Sequence, residues 1–488
     1  MNLKNIFFVI FWTAILLSSC SDFLELQPES NGVAVNNTSS DSVFFKSPNE
    51  LESALSGAYK DFQNEYFQLD YFVNGDAQSD DAYAGGDNPA NFQIDDFMLD
   101  ATNSNVSRDW RYLYSTIGKV NNIINNLDDI KESDLPPGRK NEILGEASFI
   151  RAFMYFQLVQ LWGDVPLQLT TVKSISADKL DEIYAVIFPA RAPADQIYDQ
   201  IITDLGTAES YVKVSALHKG FATKGAVHAL MAKVYATRTP VDWNKVNQYC
   251  DLVIAGPYSL LTSYDFLWDN AHENSAESIF EINYNGGAQD GNWGINIFRG
   301  LDWKKFNLPA NDLVAAFQKE NDIIRYESSI IYGDVSGKWS DIHYPQTKYP
   351  FINKYRKVGD GSDQNYIFIR LADILLLKAE ALNETGNASG ALELLNRIRT
   401  RVNLTPVNIS DKAALRSAIL KERRLELAFE GIRWFDLKRT GTAIEVMNNA
   451  IDHTGNKIGY NLTENRLLWP IPQAEIDKNS KLTQNDGY

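Results

Sequence analysis

Two clusters of residues have the types and spacing that chemistry would need. Asp80-Asp81 sits in a polar, glycine-bearing stretch. Two neighbouring carboxyls on a loop are the kind of pair that glycoside hydrolysis uses, one as acid and one as base or nucleophile. Arg423, Glu426, Glu430 and Arg433 are separated by steps of three, four and three, which on one helix is a single face of alternating charge. The flanking arginines make this second cluster read as a structural ion-pair ladder rather than a carboxylate site. The five histidines, His218, His228, His272, His343 and His453, form no His-x-x-x-His pair, and none follows a Glu-x-x spacing. The helical zinc and di-iron patterns therefore fail. Nor does the chain contain Cys-x-x-Cys, Gly-x-Ser-x-Gly, a phosphate loop or Gly-x-Gly-x-x-Gly. No cofactor or metal site is expected, and at this point Asp80-Asp81 stays open as a carboxylate pair.

Non-covalent chemistry has better candidates. Two long segments interrupt the helical pattern, Tyr66–Arg108 and Tyr264–Tyr355, and the second holds Trp268, Trp293, Trp303 and Trp339 of the chain's 10 tryptophans. Irregular segments of this length are usually functional or disordered, and so many aromatics fit disorder poorly. Flat aromatic faces beside Asp, Asn, Gln and Arg suit sugar rings, which stack on one face and need partners for their hydroxyls. Any one tryptophan can equally belong to a small core of its own insertion. The expected site draws Asp80, Asp81, Tyr83 and Phe92 from the first segment and Trp293, Arg299, Trp303 and Trp339 from the second. Gly85-Gly86 is expected to turn tightly and lift Tyr83 outward. Arg299 would donate to a ring oxygen or to the carboxylate of an acidic sugar.

The elements that must hold these residues are helices. In Asn141–Leu169 apolar side chains recur at Ile143, Ala147, Ile150, Met154, Leu158 and Leu161, with a second row at Phe149, Ala152, Phe153 and Phe156. A helix apolar on most of its circumference is packed on all sides. Gly163 and Pro166 end it. Arg151 in its middle reads as an ion pair or a snorkelling stem. Further helices are expected over 49–63, 109–127, 194–212, 223–237, 241–254, 364–384 and 388–402. Ser278–Gly287 alternates as a strand does. The paired helices resemble tetratricopeptide units without their full consensus. The expected fold is mostly α: a degenerate helical-repeat scaffold with long irregular insertions and a few short strands.

The N-terminus is an export signal. Lys4 precedes an apolar run, Ile6–Leu17, shorter than the about 20 residues a membrane span needs. Leu17-Ser18-Ser19-Cys20 resembles a lipobox, which would make Cys20 the acylated mature N-terminus. The other cysteine, Cys250, reads as a small buried apolar group. A net charge of -17 with no basic block argues against nucleic acid as a partner.

Several stretches resemble one family in order along the chain. They are Gly145-Glu146-Ala147 with Ile150-Arg151-Ala152 and Trp162-Gly163-Asp164-Val165-Pro166, then Arg370–Ala381, Leu395–Arg401, Glu422–Leu427 with Glu430–Arg439, Trp469-Pro470-Ile471-Pro472 and the closing Asn485-Asp486-Gly487-Tyr488. Together they resemble the SusD/RagB family of surface lipoproteins. The resemblance implies a signal peptide at 1–19, a lipidated tether at 20–47, an N-terminal region at 48–260 and a C-terminal region at 261–488, the last two packed as one unit. It implies capture of an oligosaccharide without cleavage, and delivery to a SusC-like TonB-dependent transporter in the outer membrane. The protein would face the cell exterior, held by lipid on Cys20. Two alternatives stay open: the same fold capturing peptides, and a surface glycoside hydrolase.

Overall fold

The structure, a computed structural model, describes residues 44–172, 179–299, 304–359 and 361–488. The signal segment, Cys20, most of the tether and Trp303 lie outside the described residues.

The helix Arg139–Trp162 is the centre of the fold, buried on all sides and flanked by the helices Ser104–Asn125 and Ala194–Tyr211. Gly163, at φ 71°, ends it. Arg151 is an ion pair: Nε and Nη2 donate to the two carboxylate oxygens of Asp204 at 2.8 and 2.7 Å, and Nη1 donates to Asn121 at 2.8 Å. The closing motifs dock on this helix end. Trp162 Nε1 donates to the Pro470 carbonyl at 2.9 Å, and Asn485 Nδ2 donates to that of Trp162 at 2.9 Å.

Two further hairpins stack beside it. Lys224–Thr237 pairs with Trp243–Ile254, and Leu371–Glu384 pairs with Ala388–Arg401. Thr223, Asp242 and Asn387 cap the first turns of three of them with side-chain oxygens, which satisfies amides the helix leaves open. Cys250 is buried between these layers. The mostly helical scaffold is as expected.

The strands are short and come in antiparallel pairs. β1 (Ala82–Tyr83) pairs with β5 (Leu308–Pro309), and β2 (Val165–Pro166) pairs with β3 (Arg191–Ala192). β4 (Ser278–Ile282) pairs with β8 (Tyr366–Arg370), and β6 (Ile330–Gly333) pairs with β7 (Tyr349–Ile352). β8 corrects one expected boundary. The helix expected from Gln364 begins only at Leu371, because the β-branched and aromatic run Tyr366-Ile367-Phe368-Ile369 has a strand partner in β4.

The first insertion is also less irregular than its composition suggests. Tyr66–Asp70 and Val73–Ala77 are π-helical turns, and every residue from 66 to 86 is buried. Gly75 lies against Gly431 so closely that a Cβ there would sit 1.9 Å from the Gly431 carbonyl oxygen.

The four-residue charge ladder does not form. The helix Lys412–Glu426 stops before Glu430, and the four side chains pair with groups outside the set rather than with one another. Arg423 holds Asp373 and Asp436, Glu426 lies among Arg325, Arg370 and Arg401, Glu430 meets Lys354 and Arg370, and Arg433 holds Asp80. Burial alone would raise the Glu426 carboxyl, but the three arginines outweigh it and hold the group well below the usual carboxylate range.

Candidate binding site

The two insertions meet where β1 lies against β5. Tyr83 opposes Leu308, and the Ala310 amide donates to the Asp81 carbonyl at 3.0 Å. Tyr83 turns inward, 7% exposed, into a small core with Leu308, Val335, Tyr349 and Phe351. Its hydroxyl donates to Asp341 Oδ2 at 3.0 Å, which also accepts from the Tyr349 hydroxyl at 2.5 Å. The expectation that Gly85-Gly86 lifts Tyr83 outward is therefore overturned. A Cβ at Gly85 would sit 2.8 Å from the Lys305 carbonyl oxygen, so the glycine allows close packing of the two insertions instead.

Asp80 and Asp81 are anchors. Arg433 donates to both oxygens of Asp80 at 2.8 and 3.0 Å, while Arg424 donates to Asp81 at 2.7 Å and to Asp312 at 2.8 Å. Burial would raise Asp80, but the two arginines outweigh it and hold it at about 2. At Asp81 burial wins over the same arginines, and the neighbouring charge of Asp80 adds to it, pushing the group up to about 6. Carboxyls spoken for in this way differ from the free pair that glycoside hydrolysis needs.

Beside this junction is a cavity of about 380 Å³, within the size range of small-ligand pockets. Asp80, Tyr83 and Phe92 line it from the first insertion and His343 from the second, and Tyr460 with the loop Ala450–Ile458 closes it from the C-terminal region. His343 packs on the Tyr83 ring at 4.2 Å, and His453 lies 6.0 Å from His343. Asp95 accepts from the Ala84 amide at 2.8 Å and from the Tyr460 hydroxyl at 3.4 Å. The cavity thus combines ring faces with hydroxyl, imidazole and carboxyl groups, and can hold a polar ligand without forming a bond to it.

The other expected residues are dispersed. Trp339 is 38% exposed and lies on the same loop as Asp341 and His343, its ring 5.1 Å from the ammonium of Lys305. Trp293, 36% exposed, donates its backbone amide to Gln68, and Arg299 donates to the Arg356 carbonyl at 3.2 Å. Neither Trp293 nor Arg299 lines the cavity, and nor does Asp81. Trp268 is buried with Tyr264 in another small core. His343, Tyr460 and the 450–458 loop were missed. The one signal for that loop was its polar, glycine-bearing run Asp452-His453-Thr454-Gly455-Asn456 next to Tyr460.

Fold and cavity together define a helical scaffold with a cavity at the junction of its insertions. Comparison with known proteins places it. A family model described as "SusD family" matches residues 292–488, and one described as "Starch-binding associating with outer membrane" matches residues 22–236. The chain belongs to the SusD/RagB family. It is 29% identical to SusD-like protein P38 of Formosa agariphila, over 99% of both chains. Among solved structures, a SusD superfamily protein from Bacteroides vulgatus is 25% identical with a TM-score of 0.75, covering 91% of this chain and 99% of that one. A laminarin-binding SusD-like protein is 26% identical with a TM-score of 0.72, covering 91% and 100%.

Proposed function

We propose that this protein is an outer-membrane lipoprotein, anchored through acylated Cys20, that captures an oligosaccharide at the cell surface and hands it to a SusC-like TonB-dependent transporter. The observation that carries the reading is the cavity of about 380 Å³ at the meeting of the insertions, in a chain that a starch-binding family model matches. Its similarity to a laminarin-binding protein supports a glycan as the ligand. Phe92 and Tyr460 supply ring faces, Asp95 and His343 supply hydroxyl partners, and Trp339 extends the surface along the 339–343 loop. Trp293, Arg299 and Trp303 belong to the proposed contact set only if the ligand reaches beyond the cavity. Binding and release without chemistry is the whole mechanism.

Titration of glycan and peptide panels tests the ligand. A dissociation constant between micromolar and millimolar is expected for a glycan, about -8 to -4 kcal/mol. Phe92→Ala should weaken it by about tenfold. Binding of peptides alone would replace the glycan reading. Purification from solubilised outer membrane should bring down a large β-barrel. Cys20→Ala should leave the outer-membrane fraction, and a variant that stays there refutes the anchor.

A further inference from the structure

The charge of the cavity wall narrows the ligand class, given the glycan reading above. We infer that the cavity accepts glycans without acidic groups and turns away uronates and sulfated sugars. Asp95, Asp96 and Asp452 line it, none of them in an ion pair among the described residues. Asp95 is 8% exposed, so its carboxyl meets little bulk water. It accepts from the Ala84 amide and the Tyr460 hydroxyl, and a carboxyl oxygen has room for a further donor.

Most of the positive charge nearby is committed elsewhere. Arg424 and Arg433 lie behind the wall, donating to Asp80, Asp81 and Asp312. Lys457 is the one lysine or arginine in the lining; it donates to the neutral amide of Asn449 and keeps its charge, a single cation beside Asp95, Asp96 and Asp452. His343 is held toward its neutral form by burial.

A sugar hydroxyl has a proton to give to these carboxyls. A carboxylate or sulfate has none, and adds negative charge beside Asp96 and Asp452, while burial raises Asp95 toward its neutral form. The overall charge of -17 works the same way at longer range, but salt screens it beyond about 8 Å, so the local wall decides.

The test uses full-length protein in detergent at neutral pH. The probes are uncharged gluco-oligosaccharides of α-1,4, β-1,3 and β-1,4 linkage, an oligogalacturonate and a sulfated galactan oligosaccharide of similar length. The best uncharged probe should bind at least about tenfold more tightly than either acidic one. Asp96→Lys, at an exposed position, should narrow that gap by about threefold or more. An acidic probe that equals or beats the uncharged ones overturns this inference and leaves the glycan reading standing. An unchanged gap in Asp96→Lys overturns the assignment of selectivity to this wall. Failure of every probe to bind removes the glycan reading, and this inference with it.

Discussion

Glu426 shows how a charge is made tolerable in the interior. It is fully buried, yet Arg325 donates to one of its oxygens at 3.1 Å and Arg370 to the other at 2.6 Å, with Arg401 on that second oxygen too. Removing one member of such a set leaves the rest buried without a partner. Glu426→Gln should therefore cost about 3–5 kcal/mol. Thermal or denaturant unfolding checks this, and a loss under about 1 kcal/mol would show that water reaches the site. The sequence spacing correctly marked Glu426 as structural but misassigned its partners. Arg325, Arg370 and Arg401 are brought to it by tertiary folding, and local periodicity says nothing about them.

Among elements, the helices were legible and the strands were less so. Arg139–Trp162 has an apolar row at helical spacing and a glycine stop, so it starts within two residues of the stretch read from the sequence and ends at the expected Gly163. β1 is two residues long, and its partner lies more than two hundred residues away. No pattern in Ala82-Tyr83 announces that pairing, so Gly85-Gly86 was the one local signal, and it pointed Tyr83 outward. The loop that carries Trp339 and His343 is tied down through Asp341, which accepts from two tyrosine hydroxyls. Asp341→Ala leaves those hydroxyls each other, at 3.2 Å, and the residue-341 backbone amide at Tyr349. The expected result is a loss of about 1–3 kcal/mol and faster proteolysis within 334–346. A loop as resistant as the parent's would mean that its backbone is held by other contacts. The third wall of the cavity comes from a segment outside both insertions, so composition could not have joined it to the site.

At the scale of the molecule, two sets of buried or half-buried acids oppose one another. Asp109 is pushed up to about 6 and Glu273 to about 7, in both cases chiefly by burial. A folded pKa above the unfolded one means that the folded protein takes the proton first, so stability rises as pH falls from about 7 toward 4. Glu426, Asp436 and Asp373 are held low because their basic partners outweigh burial. Their contribution is complete above about pH 4.5 and is lost below it. Calorimetry across pH should therefore show the highest melting temperature between about pH 4 and 6, with a steep fall on the acid side. A steady decline from pH 8 downward would contradict this balance. The same arginine network bears on how the chain is made. Glu422 and Glu426, which neutralise Arg325, follow it by 97 and 101 residues. Asp322, three residues before Arg325, also pairs with it, but a chain emerging from its N-terminus has this one partner long before the two distant ones exist. That half of the protein cannot close until the helix Lys412–Glu426 has arrived, so a chain stalled upstream of Lys412 holds an unsealed interior that a protease can enter.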